Sequence, residues 1–178
     1  MLDELARVYE QHRQGLYTLA LAITRRPSEA EDAVQEAFAR LWASGARPAD
    51  GGGMVPYVFA AVRNAALDQV RRRGRLASHE RSDPFDDRLA SVSIFNGMPE
   101  DPATSASDAE RHRLIRQAVD DLPEAEREAV VMKVYGGLTF DEIARIRGEP
   151  LPTVASRYRR ALEKLGRMMK GIAEPSHE

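Results

Sequence analysis

Apolar residues recur every third or fourth position along most of this chain, the spacing that lines one face of an α-helix. Leu5, Val8, Tyr9, Leu16, Leu19, Ala20 and Ile23 form the first such stripe, between Leu2 and Thr24, and Pro27 interrupts it. Ser28 and Glu31 have the spacing of a capping box, which predicts a second helix opening there and ending near Ser44-Gly45. Ala30, Val34, Ala37, Phe38 and Leu41 make its inward face, with Trp42 alongside. The stretch GARPADGGGMV is too rich in Gly and Pro to hold regular structure. Pro56 restarts a helix, YVFAAVRNAALDQVRRRGRL, whose last turns carry Arg71, Arg72, Arg73 and Arg75. Positive charge there suits the negative end of the helix dipole. Periodicity then disappears over residues 77–106, where Ser, Asp, Pro and Gly accumulate as in a flexible linker. Ser107 and Glu110 form another capping box, opening a helix that ends at Leu122. Pro123 starts the next, and Gly136-Gly137 closes it.

The last segment, LTFDEIARIRGEPLPTVASRYRRALEKL, combines three local signals. Thr139 and Glu142 form a capping box, Gly148 suits a left-handed turn, and Pro152 fits the first turn of a following helix. In that helix Val154, Tyr158, Ala161, Leu165 and Met168 recur as an inward stripe. Arg157, Arg160, Lys164 and Arg167 recur on another face, and the small polar residues Thr153 and Ser156 lie at its start. A short helix, a tight turn and a second helix with a basic outer face make a helix-turn-helix, whose second helix enters a DNA major groove. Strand-like alternation is missing throughout. The expected fold is all-α, with two small helical domains (1–76 and 107–173) joined by a flexible acidic linker (77–106), the second containing the helix-turn-helix.

The net charge of -2 is unusual for a DNA binder until it is divided along the chain. Residues 1–76 hold eleven Lys and Arg against nine Asp and Glu, residues 77–110 two against eight, and residues 111–178 thirteen against eleven. Two mildly basic ends therefore flank an acidic middle, and local clusters decide the attraction to a polyanion. There is no cysteine, so no disulfide or thiolate metal site forms within the chain, and its four histidines are scattered. No cofactor or metal is expected. No apolar run reaches bilayer length and the N-terminus is too acidic for a signal peptide, which points to a cytoplasmic protein without membrane insertion.

The order of these pieces resembles a bacterial RNA polymerase sigma factor of the extracytoplasmic-function (ECF) group. EAEDAVQEAFARLW looks like the family's polymerase-binding helix, and PYVFAAVRNAALDQVRRRGR like its helix for the −10 promoter element. LPEAEREAVVMKVYGGLTFDEIARIRGEPLPTVASRYRRALEKL looks like the −35 domain. The resemblance implies a non-enzymatic protein that joins core RNA polymerase and directs initiation on promoter DNA, and that an anti-sigma factor holds inactive. It assigns Asp32, Gln35, Glu36 and Arg40 to polymerase, although their spacing alone favours an ordinary solvated helix face. It assigns Arg63, Asn64, Asp68, Arg71 and Arg72 to the −10 element, where Asn can read a base edge and Arg can hold phosphate. Asn64 fits packing within its domain as readily. Thr153, Ser156, Arg157, Arg160, Lys164 and Arg167 fall to the −35 element. The resemblance implies that the Gly-rich loop before the −10 helix helps form a pocket for a flipped base. Tyr57 and Phe59 can supply stacking surfaces there, with core packing the better reading for at least one of them.

Three positions depart from the family pattern. Arg147 stands where an apolar residue is usual before the turn glycine, Glu149 follows that glycine, and Pro152 replaces a common glycine. No appended sensory domain is expected after Met169. A conventional helix-turn-helix regulator accounts for Thr139 to Arg167 but leaves DAVQEAFARLW and the earlier basic helix without a purpose. Acidic pairs such as Asp86-Asp87 and Asp120-Asp121 lack the convergent geometry that acid–base or metal chemistry needs.

Overall fold

A computed structural model describes residues 2–45, 48, 52–79, 114–115 and 117–173. The expected capping box at Ser107 and Glu110 and most of the acidic tether lie outside them. Six helices follow in order: α1 (Leu2–Thr24), α2 (Pro27–Ser44), α3 (Met54–His79), α4 (Glu124–Val134), α5 (Phe140–Arg147) and α6 (Leu151–Ala173). Residues 114–115 and 117–120 are also helical. Among the described residues there is no strand, and no helix is long and apolar enough to cross a membrane.

Helices α1, α2 and α3 pack pairwise into the first unit. Their stripes meet as expected, with Leu5, Leu16, Leu19, Ala30, Ala37, Val58, Phe59 and Val62 almost fully buried. Two expectations change here. Helix α2 opens two residues early, with Arg26 as N-cap in place of Ser28 and Pro27 in the first turn, and no side chain caps it. Proline is pre-set for that position, so Ser28 falls inside the helix, where it has no capping role. Helix α3 runs to His79, three residues into the segment expected to be linker.

Arg25 closes α1 in the left-handed region (φ 59), a conformation that glycine usually supplies. Its guanidinium pairs with Asp120 at 3.2 Å, so the strained residue is tied to the second unit.

In that unit α4 and α5 pack on α6. Thr139 and Glu142 form the expected reciprocal cap, and Gly148 takes the left-handed turn (φ 65). Phe140 meets Tyr158 edge-on at 5.3 Å, joining α5 to α6. Val154 and Ala161 are fully buried, whereas Met168 is exposed, because α6 continues beyond the helices it packs against.

The two units also touch. The α1 face carrying Gly15 lies against the turn after α4, where a Cβ on Gly15 would sit 2.9 Å from the Tyr135 carbonyl oxygen. A Cβ on Gly136 would lie 3.1 Å from the Phe59 ring. Phe59 is thus a core residue under both glycines and cannot serve as a stacking surface. Arg127, also buried, donates to the carbonyls of Ala22 (3.2 Å), Asp120 (2.8 Å) and Leu122 (2.8 Å). Burial first, and Arg25 next to it, lower its pKa from the ordinary guanidinium value.

Candidate nucleic-acid interface

The basic face of α6 is assembled as its spacing suggests, but most of its charges already have partners. Arg157 donates through Nη1 to both carboxylate oxygens of Glu149, at 2.6 and 2.5 Å. Lys164 Nζ lies 2.7 Å from Glu126, a buried residue of α4, and Arg160 lies 3.9 Å from the same carboxylate. Arg167 is exposed, while Thr153 and Ser156 are half-buried at the start of α6.

Behind this face runs a chain of alternating charges that crosses between the units. Glu128 on α4 is 1% exposed and receives Arg63 from α3 at 2.7 Å and Arg147 from α5 at 2.6 Å. Arg147 reaches on to Glu149 at 3.1 Å, and Glu149 holds Arg157. The two departures before and after the turn glycine are therefore partners. Arg147 can replace an apolar residue because two carboxylates neutralise it, and Ile146 packs beside the core. Burial raises the Glu149 pKa, but hydrogen bonds and charge from Arg147 and Arg157 outweigh it, so the net shift is downward. For Arg147 burial is again the largest influence and lowers the pKa, yet Glu149 and Glu128 together raise it.

On α3, Asn64 is exposed, and Asp68 pairs with Arg71 at 3.2 Å. Arg72 extends to Glu36 on α2 at 2.8 Å, and Arg40 and Gln69 converge on the same carboxylate. Hydrogen bonding and the charge of Glu36 raise the Arg72 pKa. Arg73, from the same cluster, turns inward to Glu29 (2.6 Å) and the Thr24 carbonyl (3.1 Å). Glu36 therefore ties α2 to α3, while Asp32 and Gln35 remain exposed.

Polar spacing overlooked the apolar surface beside Gln35. Tyr9, Val34, Phe38 and Trp42 line an open groove of about 360 Å³ there. Trp42 is 50% exposed although it packs edge-on to Phe38 at 6.1 Å. A large aromatic near the end of an apolar stripe was the available signal. The described part of the Gly-rich loop, Pro48, Gly52 and Gly53, faces Glu142, Arg145 and Ile146 of α5 across a cavity of about 200 Å³.

Known proteins match both units in this order. The sigma-70 region 2 family matches residues 8–76, and the sigma-70 region 4 family matches residues 112–165. Among curated relatives, the ECF RNA polymerase sigma factor SigE of Mycolicibacterium smegmatis is 31% identical over 163 residues. The match covers 92% of this chain and 59% of that protein's length. SigK of Mycolicibacterium vanbaalenii is 26% identical over 173 residues, covering 96% of this chain and 84% of the relative. The chain belongs to the sigma-70 factors, and the relatives it matches are of the ECF group. Sigma factors direct promoter-specific transcription initiation, and this one carries both of the family's matched regions. Its fold also matches the Bartonella quintana sigma factor RpoE, solved with the anti-sigma factor NepR, with a TM-score of 0.73 and 23% identity over 94% of this chain and 95% of that one.

Proposed function

We propose that this sigma factor joins core RNA polymerase and directs initiation on promoter DNA, the first unit serving polymerase and the −10 element and the second the −35 element. The observation that carries this reading is the succession of a region 2 and a region 4 match on one chain, the second ending in a capped helix-turn-helix. Asp32 and Gln35, with the adjoining Tyr9–Trp42 groove, form the polymerase-docking surface, where polar residues give direction and the aromatics give area. Asn64 reads the −10 element from the exposed side of α3, with Arg71 and Arg72 as phosphate ligands. Thr153, Ser156, Arg157 and Arg160 face the −35 bases, and Lys164 and Arg167 hold backbone.

The two promoter elements lie more than two helical turns apart, each turn about 35 Å. Arg63 on the −10 helix touches Glu128 of the −35 unit at 2.7 Å. A chain reading both elements must therefore undock its units, and the arrangement described above is the resting form. An anti-sigma factor that stabilises the docked form would keep it inactive, as would suit a fold shared with the RpoE–NepR complex. The protein acts in the cytoplasm and performs no catalysis of its own.

Run-off transcription with core polymerase on a library of genomic fragments tests the reading. Start sites sharing two upstream elements are expected. Asp32→Lys should reduce one-to-one association with core while leaving the folded protein intact, because a reversed charge repels its partner. Normal core binding by Asp32→Lys and Trp42→Ala would overturn the docking surface. Failure of the wild type to join core would favour a conventional regulator.

A further inference from the structure

Arg157 occupies an unusual position for a DNA-reading arginine. Its Nη1 is engaged by both oxygens of Glu149, at 2.6 and 2.5 Å. Among the described residues no other contact of its guanidinium is found, so the Nε–Nη2 edge keeps its donors. That edge has the fork geometry that meets guanine O6 and N7. Glu149 is itself fixed. It follows the turn glycine, and Arg147 holds it at 3.1 Å while Arg147 is anchored at 2.6 Å to the buried Glu128. Two consequences follow. The guanidinium is oriented before DNA arrives, and its charge is already matched, so it gains little from a phosphate.

We propose that Glu149 is a positioning residue that makes Arg157 selective for a base edge over the phosphate backbone, a role resting on the reading of α6 as the −35 helix. A free arginine at this site would add to sequence-independent attraction. A carboxylate beside it repels phosphate and leaves only the planar fork to be satisfied, so discrimination rises as non-specific affinity falls. The lowered pKa of Glu149 keeps the carboxylate charged at neutral pH.

The test uses holoenzyme reconstituted with core polymerase and a DNA duplex library randomised across the upstream element, with bound duplexes sequenced at several salt concentrations. Arg157→Gln should abolish the base preference at one position. Glu149→Gln keeps the hydrogen-bonding shape but not the charge. It should reduce that preference about tenfold and steepen the salt dependence of retention on non-selected duplexes by about one unit. In an Arg157→Gln background Glu149→Gln should add nothing. Glu163→Gln removes a negative charge from the same helix beside Arg159, 3.9 Å away, and should leave the preference unchanged. Arg157→Lys, which retains charge without the fork, should lose the preference with the salt dependence intact, and its result stands even where Glu149→Gln does not fold.

Loss of preference in Arg157→Gln with none in Glu149→Gln would overturn the role of Glu149 alone, as would an effect of Glu149→Gln that persists without Arg157 or is matched by Glu163→Gln. Retained preference in Arg157→Lys would overturn it too. An Arg157→Gln variant with unchanged preference would overturn the assignment of this helix face as well.

Discussion

The two units reach stability by different routes. The first buries a wide apolar core in three long helices, from Leu5 and Leu16 to Phe59 and Val62. The second packs two short helices, α4 and α5, on the long α6 and buries Glu126, Arg127 and Glu128 within a single turn of α4. Apolar burial is non-directional and tolerates small shifts, whereas a buried ion pair fixes its partners and contributes little net stability once desolvation is counted. The first unit is therefore a platform, and the second is held in one register by charges that can be exchanged for other charges. Docking through Arg63 and Glu128 is directional in the same way.

The largest effect is expected at the platform. Phe59→Ala should cost about 3–5 kcal/mol by removing a ring packed on all sides, lowering the thermal midpoint by roughly 10 °C in calorimetry. Glu128→Ala should cost less, about 3 kcal/mol, because it leaves Arg147 buried beside Glu149 alone and frees Arg63. It should also enlarge the radius measured by small-angle scattering. If Glu128→Ala left the units docked, the contrast between a rigid platform and a detachable unit would collapse.

Thr139→Ala removes the reciprocal cap of α5 and should destabilise the second unit by about 1 kcal/mol, read as faster amide exchange in α5 and α6 with α1 to α3 unaffected. The smallest effect concerns acid. The Glu149 carboxyl has a lower pKa folded than unfolded, so its contribution is complete above the ordinary value of about 4.3 and disappears as pH falls through the lowered folded value. Wild type and Glu149→Gln should differ in urea midpoint near neutrality and converge in acid. A gap that persisted there would show that Glu149 acts through shape and not through charge.

Local signals in the sequence were legible where neighbours decide the outcome. The cap at Thr139, the turn at Gly148 and the stripes of α1 and α2 all depend on residues within a few positions. Ser28 misled because an adjacent Pro27 competes for the same helix start, and Met168 because periodicity does not reveal where a helix outruns its support. Arg147 and Glu149 stood out as departures, yet their explanation lies in Glu128, nineteen positions before Arg147, and in Arg63 on another unit. Pairing across such distances leaves no mark in spacing. The exposed Trp42 was hidden by the same logic, since an aromatic at the edge of a stripe is compatible with either side of the surface.

Gly15 carries a consequence for how this protein can change over generations. A glycine within a long helix costs about 1 kcal/mol relative to alanine, so random substitution should favour replacing it. Its neighbour across the contact is a backbone carbonyl at 2.9 Å from where a Cβ would be, which no rotamer change can move aside. The gain in helix propensity from a single methyl would thus be set against the closeness of two units. A lineage that accepted the methyl would have a more stable α1 and a wedge between the two units, and would hold them together less firmly.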